Sequence, residues 1–342
     1  MIEVPLKFPS YSTRAFRWWA KTCGMATCYP HFGELLQGAF DLAEGGRRRI
    51  VRALISVPMP YVDGSVARVT LEPRHTGTFV PEAGRTGIRV RPPHFRKCEL
   101  AARLALDAFG MKDMAARLEV TTSVPAGAGM GSSTTGVVAS VRAVAEAVSA
   151  YRGSRIMPAP HLQAKLAVAA EQACDSLMFD CMSSTILFAQ RIGKIVRAFN
   201  GPLPQMHILG FDTNSAGGGV DTDQLPRARY SRDQIAAFGC ALAVLERAIA
   251  EQSVALTGRV ATFSAMTSET AMQNPLKKPK FNELIRIKED TGSAGIVVAH
   301  SGTVAGLIFD PALPDLRTRV GEASIAVARL GFDRLRTFST PY

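Results

Sequence analysis

The sequence lacks most of the features that mark membrane-spanning, fibrous and disulfide-stabilised proteins. It has only two tryptophans and six cysteines in 342 residues, and the cysteines form neither a Cys-x-x-Cys pair nor a His/Cys cluster at metal-ligand spacing. No apolar run approaches the roughly 20 residues that cross a bilayer, and no repeat or low-complexity tract is present. These absences argue against a zinc ribbon, a disulfide framework, a membrane partner and secretion, and they favour a cytoplasmic protein.

Basic side chains outnumber acidic ones. The chain carries 40 basic and 29 acidic side chains, a formal net charge of +11, which suggests a polyanionic partner such as nucleic acid, an acidic membrane surface or a phosphorylated ligand. The surplus is concentrated in residues 1–100, which have 15 basic and 8 acidic side chains and include Arg47, Arg48, Arg49 and Arg52. This run is either a patch that faces phosphate or a solvated loop beside a strand, and the second interpretation is favoured.

The hydrophobic pattern mixes helices and strands. With 47% hydrophobic and 20% charged residues, the chain has the composition of one large or two ordinary globular domains. Short apolar runs between glycines and prolines predict strands over residues 67–71, 87–90, 118–124, 206–211, 295–299 and 304–309. Helical apolar spacing predicts helices over residues 94–109, 134–150, 161–178, 232–251, 281–289 and 316–330. The mixture predicts an α+β fold.

Domain limits follow from composition and punctuation. We expect an N-terminal domain over residues 26–200 and a C-terminal domain over residues 201–342, where a Gly-Pro pair precedes a new strand. Residues 1–25 are expected to be an extension that need not be native, because Met25 stands just before the first motif and would serve as an alternative start.

The strongest chemical signal is the glycine-rich segment 125–133, which joins a predicted strand to a predicted helix. Gly127, Gly129 and Gly131 let the backbone adopt positive φ and let amide groups approach a ligand, while the following helix offers free N–H groups and a positive dipole end. Such a loop suits phosphate. It is neither a Walker A motif nor a dinucleotide-binding fingerprint, because the residue types and spacing differ, and an ordinary glycine-rich turn is the alternative.

Four segments carry a resemblance to a known family. The string Pro-x-Gly-x-Gly-Met-Gly-Ser-Ser at 125–133 resembles the phosphate-binding loop of the GHMP kinases, the superfamily of galactokinase, homoserine kinase, mevalonate kinase and phosphomevalonate kinase. The segments 32–38 (FGELLQG), 174–179 (CDSLMF) and 299–306 (AHSGTVAG) resemble, in order, motifs of the branch that contains the L-threonine kinases of cobalamin synthesis and propanediol utilisation.

The resemblance implies a ribosomal-S5-like N-terminal domain packed against a ferredoxin-like C-terminal domain, with ATP in the cleft between them. The implied nucleotide-binding residues are Pro125, Ala126, Gly127, Ala128, Gly129, Met130, Gly131, Ser132, Ser133 and Thr134. Ser133 and Glu171 are the expected Mg²⁺ ligands, since Mg²⁺ prefers hard oxygen atoms and would lie between the β- and γ-phosphates.

The acidic residues on the predicted helix 161–178 have separate expected roles. Glu171 and Asp175 are four residues apart and would share one face of a continuous helix. Glu171 would hold Mg²⁺, and Asp175 would be the catalytic residue that accepts or orients the acceptor's hydroxyl proton. The family places its glutamate three residues before the aspartate, which puts Gln172 in that register, so either Glu171 or Gln172 occupies the metal-ligand position.

The remaining candidates concern the acceptor. Glu34 and Gln37 would border its pocket, and His300, Ser301, Gly302 and Thr303 in the C-terminal motif are candidate substrate contacts. His300 has two open interpretations, a structural histidine before a tight turn and a ligand of substrate carboxylate or phosphate.

Together these observations predict an ATP- and Mg²⁺-dependent kinase of a small-molecule alcohol. The resemblance favours L-threonine as acceptor, with O-phospho-L-threonine as the product for the aminopropanol arm of cobalamin synthesis. Homoserine, L-serine or a sugar are alternative acceptors. A non-catalytic sensor or nucleic-acid-binding protein is the other class, but the scarcity of aromatic residues among the basic ones argues against nucleic acid. A homodimer is left open.

Overall fold

The computed structural model of the protein describes residues 22–44, 47–59, 64–73, 87–180, 183–214, 228–271 and 280–341. Residues 1–21 of the expected extension lie outside these parts. The strands are β1 (Cys23–Cys28), β2 (His31–Glu44), β3 (Arg47–Pro58), β4 (Ser65–Pro73), β5 (Ile88–Arg91), β6 (Met114–Thr122), β7 (Ile186–Ala189), β8 (Lys194–Ala198), β9 (His207–Asp212), β10 (Gly295–Val298), β11 (Val304–Phe309) and β12 (Asp333–Ser339). The helices are α1 (Arg96–Ala108), α2 (Ser132–Arg152), α3 (Pro160–Glu171), α4 (Arg232–Ala250), α5 (Val254–Ala271), α6 (Phe281–Asp290) and α7 (Leu316–Arg329). The predicted α+β class is confirmed.

Two sheets organise these elements. The smaller sheet has the order β1-β4-β6-β5, with β5 parallel to β6 and the other pairs antiparallel. The larger sheet has the order β12-β9-β11-β10-β2-β3-β7-β8 and is antiparallel. It therefore contains strands from both sides of residue 201, joined where Val298 of β10 pairs with Glu34 of β2.

Helix α2 lies at the centre of the core beside the smaller sheet. Most of its Ala and Val side chains are buried, because small residues let it pack against β1, β4 and α1 at short distance. Gly24 of β1 makes the closest approach, since a Cβ there would lie 2.2 Å from the carbonyl oxygen of Ala143. Helices α4 and α5 cover the larger sheet, with Phe238 against Phe40.

Several local predictions are corrected. The helix predicted over residues 161–178 ends at Glu171, because Gln172 adopts a left-handed conformation with φ +65° and turns the chain out of the helix. The arginine run does not form a loop: Arg47, Arg48, Arg49 and Arg52 lie within strand β3. Helix α5 and strands β1, β2, β3, β7, β8 and β12 were not predicted.

The cysteines within the described parts are free thiols, and Cys181 lies outside those parts. In the described parts of the chain, no helix combines the length and the apolar character needed to cross a membrane.

Candidate functional site

The glycine-rich loop occupies the predicted junction between β6 and α2. Gly127, Gly129 and Gly131 have φ of +68°, +81° and +72°, which a residue with a Cβ adopts only at an energetic cost. Gly131 is the N-cap of α2 and provides no side-chain cap. The first N–H groups of α2 therefore lack both intrahelical acceptors and a capping oxygen, which is the arrangement that binds an anion.

The loop residues divide between the cleft and the core. Gly127, Gly129, Gly131, Ser132, Ser133 and Thr134 line a cavity of about 400 Å³. Ala128 and Met130 are buried in the core beneath it, while Pro125 and Ala126 precede the part that lines the cavity. A volume of this size is typical of a small-molecule site.

The C-terminal motif, residues 299–306, packs against the glycine-rich loop. The backbone N–H groups of Thr303 and Val304 both donate to the carbonyl oxygen of Ala128, each at 3.0 Å. Gly302 packs so tightly on the loop that a Cβ there would lie 2.2 Å from that same oxygen. Thr303 is buried, whereas Ser301 lines the cleft. Gly302 and Thr303 thus contact the phosphate loop directly, and Ser301 is the member of this motif that faces the cavity.

A buried network connects the two outer motifs. Glu34 Oε2 accepts hydrogen bonds from the backbone N–H of His300 at 2.8 Å and from its Nδ1 at 3.2 Å. His300 Nε2 lies 3.0 Å from Ser264 Oγ, which accepts the backbone N–H of Gln37 at 3.0 Å. The His300 side chain has 0% exposure. Its imidazole therefore orients Glu34, whose side chain and that of Gln37 line the cleft.

Glu171 and Asp175 both contact the hydroxyl group of Thr134, an arrangement that the sequence did not predict. They do not share a helix face, because α3 ends at Glu171 and Asp175 lies in the following loop. Thr134 Oγ1 donates to Glu171 Oε1 at 2.8 Å and accepts the backbone N–H of Asp175 at 3.2 Å. The loop is also held from the other side, since the N–H of Cys174 donates to the carbonyl of Gln190 at 3.0 Å.

The environment of Glu171 suits a bound cation. The carboxyl is 6% exposed, and burial raises its pKa to about 8, against the opposing effect of hydrogen bonds from Ser133 and Thr134. The positive charge of Lys97 also opposes the effect of burial on this pKa. Gln172, the alternative in the family register, is exposed. The carboxylate of Glu171 beside the hydroxyl of Ser133 is an oxygen donor set that fits Mg²⁺.

His31 is a site residue that the sequence-based prediction missed. Its Nε2 lies 3.3 Å from Asp175 Oδ2, at ion-pair distance although not in hydrogen-bond geometry. Its Nδ1 donates to the carbonyl of Gly33 at 2.8 Å. Burial alone would lower the pKa of His31, but the carboxylates of Asp175 and Glu34 and the carbonyl of Gly33 together outweigh burial and raise the pKa to about 9. Burial likewise opposes ionisation of Asp175, yet the imidazolium holds the pKa of that carboxyl below its usual value.

These contacts bring His31, Glu34 and Asp175 together in the cleft. One ligand-type atom from each of His31, Glu34 and Asp175 lies within 4.8 Å of the others. The signal for His31 was its place one residue before the segment 32–38, but nothing local indicated that its ring would face Asp175. The cleft also contains Lys97 of α1, Arg52 and Leu54 of β3, and Gln190, Arg191 and Tyr230.

A strand, a positive-φ glycine loop and a helix N-terminus that meet two carboxylates define a phosphate-binding cleft in an α+β protein. The model of the GHMP kinases N terminal domain matches residues 95–180, which include this loop, Glu171 and Asp175. The resemblance to the GHMP kinase superfamily that the sequence predicted is confirmed, and it is carried by this part of the chain.

Individual relatives agree with this assignment. The chain is 30% identical over 194 residues to the L-threonine kinase of Citrobacter freundii, covering 57% of this chain and 62% of that protein. It is 28% identical over 206 residues to the L-threonine kinase of Salmonella typhimurium, covering 60% and 64%. The matches thus span less than two thirds of the length of these relatives. The homoserine kinase structure from Cytophaga hutchinsonii matches the fold with a TM-score of 0.62 at 14% identity, covering 98% of this chain and 97% of that one.

Proposed function

We propose that this protein is an ATP- and Mg²⁺-dependent kinase that transfers the γ-phosphoryl group of ATP to a small-molecule alcohol. The observation that carries the proposal is the position of Asp175, whose carboxylate is paired with His31 and lies so near the phosphate loop that a Cβ added at Gly131 would be 2.8 Å from Oδ2. A carboxylate at this point lies where an acceptor hydroxyl would meet the terminal phosphate.

The nucleotide is held mainly by backbone groups in this proposal. The N–H groups at the start of α2 and the Ser132 hydroxyl face the cleft and would contact phosphate oxygens. Ser133 and Glu171 would hold Mg²⁺, which when bound neutralises charge between the β- and γ-phosphates. Thr134 links Glu171 to Asp175 and keeps the two carboxylates at a fixed separation.

Asp175 would act on the acceptor rather than on the nucleotide. Its pKa is depressed by the His31 imidazolium, so it is ionised at neutral pH and is a weak base. Phosphoryl transfer has a loose transition state in which the acceptor keeps its proton until late. The carboxylate would therefore orient the acceptor hydroxyl. The oxygen of that hydroxyl would bond to the γ-phosphorus as the bond between the γ-phosphorus and ADP breaks. Asp175 would then accept the proton of the hydroxyl.

We propose L-threonine as the acceptor and O-phospho-L-threonine as the product, which would supply the aminopropanol arm of cobalamin synthesis. Support comes from the two relatives, which are L-threonine kinases. The match to the homoserine kinase structure concerns the fold alone, because proteins that share a fold can act on unrelated substrates.

A coupled assay of ADP release with L-threonine, L-homoserine, L-serine and sugars tests the acceptor. We expect turnover to be highest with L-threonine and phosphorus NMR to identify O-phospho-L-threonine. Turnover with L-homoserine but not with L-threonine would refute L-threonine as the acceptor and would still support a kinase. Absence of transfer to every alcohol, together with salt-sensitive retention of DNA, would favour a non-catalytic protein. Cobalamin-synthesis genes beside the coding sequence would support the pathway.

A further inference from the structure

Arg52 is a cation in the cleft that the proposed reaction does not use. It lies on β3, is half-buried, and lines the cavity together with Leu54, which is two residues further along the strand. No carboxylate in the described part of the chain pairs with it. Arg191 lines the same cavity but already interacts with another residue. A guanidinium that lines a ligand cavity without a carboxylate partner is placed to receive an anionic group of the ligand.

The guanidinium is held by an aromatic ring. Its carbon atom lies 6.0 Å from the centroid of Tyr230, and Tyr230 packs edge-on against the buried Phe238 at 5.2 Å between centroids. Stacking on a ring face leaves the N–H groups in the plane of the guanidinium available, and these form two parallel hydrogen bonds to a carboxylate.

The strand register places Arg52 at a suitable distance from the reacting group. Ser56 Oγ of β3 lies 3.3 Å from Oγ of Ser176, the residue after Asp175. Arg52 is four residues from Ser56, which is about 13 Å along an extended strand. The reach of an arginine side chain and the length of a hydroxy amino acid together bridge that distance.

Gln190 provides a second unused polar group. Strand β7 runs antiparallel to β3 with Phe188 opposite Leu54, so the chain after Phe188 runs back towards Arg52. Gln190 lines the cavity and its carbonyl holds the loop of Asp175 through Cys174. Its side-chain Oε1 is buried and has no hydrogen-bond partner within the described ranges. A buried acceptor of this kind is satisfied by a donor on the ligand.

We propose that the acceptor part of the cleft recognises the zwitterion of a small α-amino acid, with Arg52 binding the carboxylate and Gln190 Oε1 accepting a hydrogen bond from the ammonium group. This inference rests on the proposed function for the reaction at Asp175, and it adds the residues that recognise the carboxylate and the ammonium group of the acceptor.

Calorimetric binding to the full-length protein, in the presence of Mg²⁺ and a non-hydrolysable ATP analogue, tests the inference. The ligands are L-threonine, L-threoninol, which lacks the carboxylate, and 3-hydroxybutyrate, which lacks the ammonium group. We expect Arg52→Gln to weaken L-threonine binding by roughly 10- to 100-fold and to leave L-threoninol unchanged. Gln190→Leu should weaken L-threonine and L-threoninol but not 3-hydroxybutyrate.

Arg48→Gln is the matched control, because Arg48 lies on the same strand with a side chain that is 78% exposed and pairs with Asp41. It should bind all three ligands as wild type does. Unchanged affinity for the ATP analogue and an unchanged Tm would show that each variant is folded. If Arg52→Gln does not fold, Arg52→Lys gives the same comparison, since it keeps the charge and loses the paired hydrogen bonds.

Two results would overturn the inference. One is an equal loss of L-threonine and L-threoninol binding in Arg52→Gln. The other is a wild-type protein that binds L-threonine, L-serine and L-homoserine no more tightly than their carboxylate-free alcohols. Selective zwitterion binding without phosphoryl transfer would instead refute the proposed function and support the binding site.

Discussion

The hydroxyl of Thr134 joins Glu171 to Asp175: it donates to the carboxylate of Glu171 at 2.8 Å and accepts the backbone N–H of Asp175 at 3.2 Å. Thr134 lies in the first turn of α2, directly after the glycine loop. One side chain therefore ties the end of α3, the loop of Asp175 and the phosphate-binding segment together.

Replacing Thr134 with valine should loosen this junction. Thr134→Val keeps the shape but leaves the N–H of Asp175 without this acceptor and removes one of the hydrogen bonds to the buried carboxyl of Glu171. A lost buried hydrogen bond costs about 1–3 kcal/mol, so we expect a fall of that size in the free energy of unfolding, measured with urea, and a lower kcat. Thr134→Ser retains the hydroxyl and should restore most of both. Wild-type stability in Thr134→Val would contradict the role of the hydroxyl.

The two carboxylates should give different kinetic changes. Asp175→Asn should lower kcat by about 10²- to 10⁴-fold with little change in the KM for ATP, because the aspartate acts on the acceptor. Glu171→Gln should instead raise the Mg²⁺ concentration needed for half-maximal rate, because it removes a charged oxygen ligand. Steady-state assays at varied ATP and Mg²⁺ separate the two effects. Normal turnover in Asp175→Asn would exclude it as the residue that orients the acceptor.

Stability should depend on pH through His31. Its pKa rises from 6.5 to about 9 on folding, because the Asp175 carboxylate, with smaller contributions from Glu34 and the Gly33 carbonyl, outweighs burial. A group with a raised pKa in the folded state stabilises fully below its unfolded pKa and loses that contribution as pH rises through the folded value. We therefore expect the difference in unfolding free energy between wild type and His31→Gln to shrink between pH 6.5 and pH 9. Glu171, with a pKa of about 8, is present in both proteins and cancels in the difference. A pH-independent difference would rule out the ion pair.

Packing of the C-terminal motif on the phosphate loop should matter for nucleotide binding. Gly302→Ala would place a Cβ 2.2 Å from the carbonyl oxygen of Ala128, so the loop must shift. We expect weaker ATP binding by calorimetry and lower stability, as overpacking costs about 1–3 kcal/mol. Gly321→Ala is the control, because a Cβ there meets nothing within 4 Å and it lies in helix α7. If both variants bind ATP equally well, the loop does not depend on this contact.

Some features were predictable because they depend on neighbouring residues. The glycine loop, its place between a strand and a helix, and most helices follow from local composition and apolar period. Helix α5 was missed because its small and polar residues give little amphipathic contrast. The end of α3 was missed because an apolar period continues past Glu171, although the backbone leaves the helix at Gln172.

Local sequence was enough to indicate the superfamily, the glycine-rich loop and the two acidic candidates, because each motif is encoded by neighbouring residues. Tertiary contacts were needed to show that His31 pairs with Asp175, that His300 contacts Glu34 and that Arg52 of the arginine run lines the cleft. The physical reason is that these contacts depend on which distant strands pair and in what register. Among the basic residues that give the chain its net charge of +11, Arg52 is thus a guanidinium placed for a small anion. Composition alone did not distinguish it from the others.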